Sequence, residues 1–398
     1  MVIASGGKPL SEYGILCSGE THTYFMDTDY IRETSYNQEA LRAFIDENEP
    51  KLTDEQRRVY QHINRSVQDS SGQIYFLDAP GGTGKTFLIK LLLSRVRVEG
   101  KVALAVASSG IAATLLPGGK TAHSMFKLPL ELDNIESPVC NISSNSSLAE
   151  LLRRCSLIIW DECTMSNKKA VEALDRTLQD LRNSSSLMGG ITTLFAGDFR
   201  QTLPVVTRGT RADEINASLR HSALWPLIQT LHLTQNMRAH LFGDSDSQEF
   251  SDLLLKIGKG KFEEQEGQIA LPPQLCTMIN NIEDLINHVY PGIENIALKA
   301  DCWLCERAIL VATNELAATI NSLILEKFSA QKIMYKSVDT VVNQDEAVNY
   351  PVEFLNSVTA PGLPAHTISL KVGTPIMLLR NLHPPKLCNG TRLKVTAL

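Results

Sequence analysis

Residues 73–87 read QIYFLDAPGGTGKTF. Gln73–Leu77 is short, apolar and rich in aromatic residues, which predicts a strand. Phe87–Val98 predicts a helix. The turn between them, Ala79–Thr86, follows the pattern G-x-x-x-x-G-K-[ST], with Ala79 at the first glycine position. In such a turn glycines let successive N–H groups converge on phosphate oxygens, and the positive end of the helix dipole adds to the attraction. Lys85 would reach the β- and γ-phosphates, and the Thr86 hydroxyl a Mg²⁺ ion. Ala79, Gly81, Gly82, Thr83, Gly84, Lys85 and Thr86 are therefore the candidate nucleotide-binding residues. The plain alternative is a glycine-rich turn with an incidental lysine.

Outward from this turn the chain alternates strand and helix. Upstream, Thr53-Asp54-Glu55-Gln56 resembles a capping box, and Val59, Ile63 and Val67 recur at helical spacing. Downstream, strands predicted at Val102–Val106, Leu157–Trp160 and Ile191–Ala196 alternate with helices at Gly110–Leu116, Leu148–Arg154 and Lys168–Leu181. That alternation argues for an α/β fold, a parallel sheet covered by helices. Leu157–Trp160 delivers Asp161 and Glu162 at its carboxyl end, where open α/β sheets bind ligands. Asp161 would hold Mg²⁺, and Glu162 would polarise the attacking water. Ile191–Ala196 runs into GDFRQTLPV (197–205), whose Gln201 can hydrogen-bond a γ-phosphate and sense its loss. A looser block from about residue 236 holds a predicted strand at Ala308–Val311, a helix at Leu316–Phe328, and late strands at Gly373–Leu379 and Thr391–Val395.

Composition narrows the class of molecule. With 398 residues, 43% hydrophobic and 21% charged, the chain is of ordinary globular make-up, enough for two or three domains. No stretch approaches the roughly 20 apolar residues of a membrane span, and Met1–Leu10 does not read as a secretory signal. Eight scattered cysteines read as reduced thiols. The pair Cys302 and Cys305 stands alone, short of the four ligands of a zinc site, so no metal-binding cysteine cluster is expected. The net charge of −6 argues against a uniformly basic nucleic-acid surface. Its distribution is uneven: residues 1–60 carry a net −5, whereas 371–398 carry five bases and no acid. That tail is either a solvated edge or a phosphate-facing strip.

APGGTGKT (79–86), WDECTM (160–165), GDFRQTLPVV (197–206) and LTQNMR (233–238), in this order, resemble the PIF-type (petite integration frequency) superfamily 1 DNA helicases. They are similar in particular to the helicase region of Helitron-type transposon proteins. LTDEQRRVY (52–60), ASSGIAATLLPGGKTAHSMFKLPL (107–130), KVGTPIMLLRNL (371–382) and NGTRLKV (389–395) extend the resemblance from about residue 50 to the end. It implies a P-loop NTPase of two RecA-like lobes that couples ATP hydrolysis, with Mg²⁺, to 5′→3′ movement on single-stranded DNA. The biological setting it implies is nuclear, in repair, recombination or telomere maintenance. By the same resemblance Gln56 reads adenine and Lys85, Glu162, Gln201 and Arg238 serve catalysis. Thr86 and Asp161 serve the metal. Ser108, Ser109, Gly110, Thr121 and His123 (with Ser124) touch DNA.

The expected organisation is a polar acidic leader (1–50) and a first lobe (51–235) with a small insertion near 126–150. A partial second lobe (236–370) and the start of a β-rich inserted module (371–398) follow. Members of the family continue past the NGTRLKV segment into further motifs, including an arginine finger. The expectation is therefore a second lobe incomplete at its C-terminus and weak or absent turnover for residues 1–398. The alternative function is a nucleotide- or DNA-binding module without catalysis.

Overall fold

The computed structural model describes residues 28–129, 132, 135–206, 209–237, 245–262, 264–265, 267–273, 275–341, 350–358, 364–379, 382, 387 and 390–398. The chain divides into two compact units, one running to Ile269 and the other from Ala270 to Leu398. Among the described residues no helix is long and apolar enough to cross a membrane.

The first unit opens with helices α1 (Thr28–Thr34), α2 (Gln38–Asn48) and α3 (Asp54–Gln68). The alternating core then follows as β1 (Ile74–Asp78), α4 (Lys85–Val98), β2 (Val102–Ala107), α5 (Gly110–Thr114), β3 (Lys120–Thr121), α6 (Ala122–Phe126), α7 (Ser147–Arg154), β4 (Cys155–Asp161), α8 (Lys168–Leu181) and β5 (Thr192–Gly197). It closes with α9 (Arg211–Ala217), β6 (Gln229–His232), α10 (Ser245–Gly258) and a ribbon of β7 (Glu264–Gln265) and β8 (Gln268–Ile269). Six strands form one sheet in the order β3-β2-β4-β5-β1-β6, and every pairing in it is parallel.

Strand periodicity sorts side chains into two cores, one on each face of the sheet. Phe76, Leu104, Val106, Ile158, Trp160 and Phe195 enter one, with α7 and α8. Tyr75, Leu77, Ala103, Ala105, Ile159 and Leu194 enter the other, with α3 and α4. The capping box forms as predicted: Gln56 N–H donates to Thr53 Oγ1 at 3.3 Å, and Thr53 N–H donates to Gln56 Oε1 at 3.2 Å.

Three expectations are corrected. Thr28–Thr34 and Gln38–Asn48 are helices packed on the core rather than part of a leader. Ile45 is 5% exposed in the core, Glu33 meets the Arg97 guanidinium at 3.8 Å, and that guanidinium lies 4.2 Å from the Tyr36 ring centroid. The first unit also extends past residue 235, because Asn236 and Ser251 of α10 are hydrogen-bonded at 2.8 Å. The segment Ala308–Val311 forms no strand, and Leu310 is 92% exposed. An apolar run becomes a strand only where a neighbouring chain completes its ladder.

The second unit holds α11 (Ile282–Val289), α12 (Asp301–Cys305), α13 (Asn314–Lys327), β9 (Ile333–Lys336), α14 (Val352–Ser357), β10 (Thr367–Leu370), β11 (Pro375–Met377) and β12 (Arg392–Lys394). Here β9 pairs with β10 and β11 with β12, both antiparallel. Ile293, Ile296 and Phe328 form its small core. Cys302 and Cys305 lie exposed on α12.

Two bases of the cationic tail are engaged internally. Lys371 is 6% exposed, and its ammonium donates to the carbonyls of Phe328 (2.9 Å) and Glu326 (3.4 Å) at the C-terminal end of α13. Lys394 donates to Lys299 O at 2.9 Å and pairs with Asp301 at 3.2 Å. Arg392 is exposed; Arg380 and Lys386 lie outside the described residues.

Candidate nucleotide-binding site

Strand order builds the site. β1 ends in the glycine-rich turn, β4 ends in the acidic pair, and β5, which leads to Gln201, lies between them. The carboxyl ends of three adjacent parallel strands therefore converge on one edge of the sheet, as ligand sites in open α/β folds do.

Within the turn, Gly82 and Gly84 have φ of 87° and 82°, a region that favours glycine. A Cβ on Gly82 would come within 2.7 Å of Asn236 Oδ1, and one on Gly84 would collide with the Gln56 amide. Ala79 needs no glycine. It is absent from the left-handed region, is 1% exposed, and donates its N–H to Gly197 O at 3.2 Å. Thr83 is equally internal: its hydroxyl donates to Pro80 O at 2.8 Å, and its carbonyl accepts Gln56 Nε2 at 3.0 Å. Neither Ala79 N–H nor the Thr83 hydroxyl is turned to a ligand. The N-terminus of α4, whose Gly84 cap brings no side-chain hydrogen bond, is suited to an anion.

Lys85 and Thr86 begin α4. The Lys85 ammonium lies 2.9 Å from Asp161 Oδ1 and is hydrogen-bonded to Glu162 Oε1. Burial pulls the Lys85 pKa down, but the Asp161 and Glu162 carboxylates outweigh burial and hold it above the ordinary lysine value. Asp161 Oδ1 also accepts the Glu162 N–H at 2.9 Å. Glu162 itself has φ 51°, uncommon for a residue with a side chain. Its Oε2 is buried and has no hydrogen-bond partner.

Gln201 is exposed in the turn after β5. Its N–H donates to Asp198 O at 3.0 Å, and its amide lies 3.5 Å from Asp198 Oδ2. Gln56 is 2% exposed, its amide engaged by Thr53 and Thr83, so it ties α3 to the phosphate turn. Arg238 lies outside the described residues.

The residues assigned to DNA divide. The Ser108 hydroxyl is internal, accepting from Trp160 Nε1 at 3.0 Å and bonded to Ser166 Oγ at 2.8 Å. Ser109 and Thr121 cap α5 and α6, accepting the N–H groups of Ala112 (3.2 Å) and Ser124 (3.3 Å). Gly110 starts α5, and His123 and Ser124 are exposed on α6.

Residues of the 52–60 and 233–238 segments to which the sequence assigned no role also shape the site. Glu55 accepts the Thr234 N–H (2.7 Å), the Thr234 hydroxyl (2.6 Å) and the Gln235 N–H (3.3 Å). Burial raises the Glu55 pKa, but these hydrogen bonds carry it below the ordinary value. Met237 N–H donates to Gly82 O at 2.8 Å.

Comparison with known proteins agrees with this architecture. Residues 51–268 match the PIF1-like helicase family, and residues 353–398 match the 2B domain of the DNA helicase Pif1. The ATP-dependent DNA helicase PIF1 of Candida albicans is 25% identical over 86% of this chain and 34% of its own. The Pif1 of Bdellovibrio bacteriovorus is 31% identical over 49% of this chain and 42% of its own. The chain thus spans well under half the length of these relatives. The crystal structure of Candida albicans Pif1 superposes with a TM-score of 0.58 at 26% identity, over 87% of this chain and 69% of that one. A Bacteroides Pif1 solved with ADP-AlF3 and single-stranded DNA shares the fold, with a TM-score of 0.57 at 21% identity over 87% of this chain and 70% of that one. Since the family match alone runs through more than half of its residues, the chain belongs to the PIF1-like helicase family.

Proposed function

We propose that this chain supplies the ATP-hydrolysing centre of an ATP-dependent DNA helicase, moving 5′→3′ on single-stranded DNA. The observation that carries the reading is the convergence of Lys85, Asp161 and Glu162 at the start of α4. An ammonium held between two carboxylates is a cation in reserve, available to the β- and γ-phosphates when a nucleotide enters. The α4 N-terminus would bind the same phosphates through its free N–H groups.

Thr86 and Asp161 would hold Mg²⁺. Their donor set, one hydroxyl and one carboxylate, fits an ion that takes few protein oxygens and leaves positions for phosphate and water. When bound, the ion supplies charge neutralisation at the phosphate oxygens. Glu162 is the general base: its partnerless Oε2 accepts the proton of the attacking water. Gln201, next to the phosphate turn in strand order, senses the γ-phosphate, and Arg238 adds positive charge to it. Gln56 stands beside the turn as the adenine-side residue, with its amide shared with Thr83 O. Single-stranded DNA is the partner, met by Ser109, Gly110, Thr121, His123 and Ser124 from α5 and α6. Ser108 acts by bracing that loop. The proposed compartment is the nucleus, and the proposed roles are repair, recombination or telomere maintenance.

The test is ATP turnover by the 398-residue chain with and without single-stranded DNA. Stimulated turnover that Lys85→Ala abolishes supports the enzyme. Nucleotide and DNA binding without turnover assigns the chain as a binding module. Turnover untouched by Lys85→Ala overturns the site.

A further inference from the structure

The turn after β5 sends neighbouring side chains in different directions. Phe199 enters the core, its ring centroid 5.0 Å from Phe76 and 5.6 Å from Trp225. The Arg220 guanidinium covers it at 4.2 Å. With the turn anchored on that side, Arg200 reaches across the strand ends. Its Nη2 lies 2.9 Å from Asp78 Oδ1, and its Nε lies 2.5 Å from Asp198 Oδ1. Asp78 is the last residue of β1, immediately before the phosphate turn. Asp78 and Gly197 are register partners, so one guanidinium joins the ends of the two strands. His232 also approaches Asp78, its Nδ1 lying 3.6 Å from Oδ2, and its side chain is 60% exposed.

We propose that Arg200 is a positioning residue that locks the Gln201 turn to the start of the phosphate turn, so that the two respond to the γ-phosphate as one piece. The inference rests on the reading of Gln201 as the γ-phosphate sensor. Two arguments separate this role from simple stabilisation. The Arg200 and Asp78 side chains are 24% and 23% exposed, so that pair adds little to stability, whereas the Asp198 side chain is 7% exposed and its pairing with Arg200 is also structural. Without Arg200, the carboxylates of Asp78 and Asp198 also face each other unneutralised, which pushes apart the two strand ends that the sensor and the turn require together. A lysine cannot replace this fork, because its point charge lacks the two-branched geometry.

The experiment compares affinities of the full chain for ADP and for a non-hydrolysable ATP analogue, with Mg²⁺, by titration calorimetry. The wild type is expected to prefer the analogue. Arg200→Gln is expected to reduce that preference about fivefold or more, and Asp78→Asn, which keeps the Arg200–Asp198 pair, is expected to hold the melting temperature within about 2 °C. Asp78→Asn should reduce the preference likewise, Arg200→Lys should not restore the preference, and the double variant Arg200→Gln/Asp78→Asn should lose no more than either single one. Unchanged preference in Arg200→Gln, or losses that add in the double variant, overturns the proposal. Gln201→Ala separates the two readings. A preference lost there but kept in Arg200→Gln overturns the brace alone, whereas a preference kept in Gln201→Ala removes the sensor and the brace with it.

Discussion

Glu162 holds a left-handed backbone, φ 51°, a conformation that costs of order 1–3 kcal/mol and persists where surrounding structure imposes it. Here the imposition is visible: its N–H is held by Asp161 Oδ1 at 2.9 Å, and one carboxylate oxygen by Lys85. The other oxygen, Oε2, has no hydrogen-bond partner and is the one proposed as the base. Glu162→Gln keeps the shape and removes the proposed base. Hydrolysis is expected to fall by about 10²–10⁴-fold with nucleotide affinity retained, read from single-turnover rates beside a binding titration. Equal losses of affinity and rate would refute the assignment. Lys85 titrates in the opposite sense to a depressed acid. Its folded pKa lies above the unfolded one, so its stabilisation is complete below about pH 10.4 and is lost only as pH rises through the still higher folded value. The difference in melting temperature between wild type and Lys85→Met should therefore stay flat from neutral pH up to the ordinary lysine range. A difference that shrinks between neutrality and that range would contradict the pairing.

At the scale of elements, what was legible in the sequence is what local chemistry writes. The capping box at Thr53 and Gln56, the apolar runs of β2 and β4, and the glycine-lysine turn each carry their signal within a few residues, and each forms at the expected place. What was not legible depends on partners far away in sequence. β6 reads QTLH and is mostly exposed; pairing with β1 makes it a strand, whereas the more apolar Ala308–Val311 stays irregular. The same holds in the site. Lys85, Asp161 and Glu162 announce themselves by motif, but the bond between Arg200 and Asp78 spans 122 positions, and no local pattern encodes it. Helices α1 and α2 belong to this second class. Their anchor is Arg97, which is 3% exposed and donates to Ala103 O at 2.9 Å and Pro117 O at 2.8 Å while facing Glu33. Arg97→Ala leaves Glu33, itself 2% exposed, without its buried guanidinium. The expected loss is roughly 3–5 kcal/mol, measured from denaturant midpoints at constant slope, and a loss below about 1 kcal/mol would place α1 outside the cooperative core.

For the whole molecule, charge is the property that composition most misrepresents. By composition alone the total of −6 opposes a nucleic-acid partner, and the five bases of 371–398 favour one. The structure removes part of that second contrast. Lys371 closes the C-terminal end of α13, where an ammonium meets otherwise unpaired carbonyls. Lys394 is bound to Lys299 O and Asp301. Neither ammonium is free to displace counterions from a phosphate backbone, which is how basic side chains produce salt-dependent affinity. A phosphate-contacting lysine, once removed, lowers the slope of log affinity against log salt by about 1. Lys371→Ala and Lys394→Ala should each leave the slope for single-stranded DNA unchanged. Lys371→Ala should instead destabilise the second unit, by about 1–3 kcal/mol, because it strips the Phe328 carbonyl of its buried donor. Fluorescence anisotropy across a salt series, run beside chemical denaturation, reads both quantities on the same samples. A slope that falls by about 1 in Lys371→Ala, with stability intact, would make the tail a phosphate strip after all.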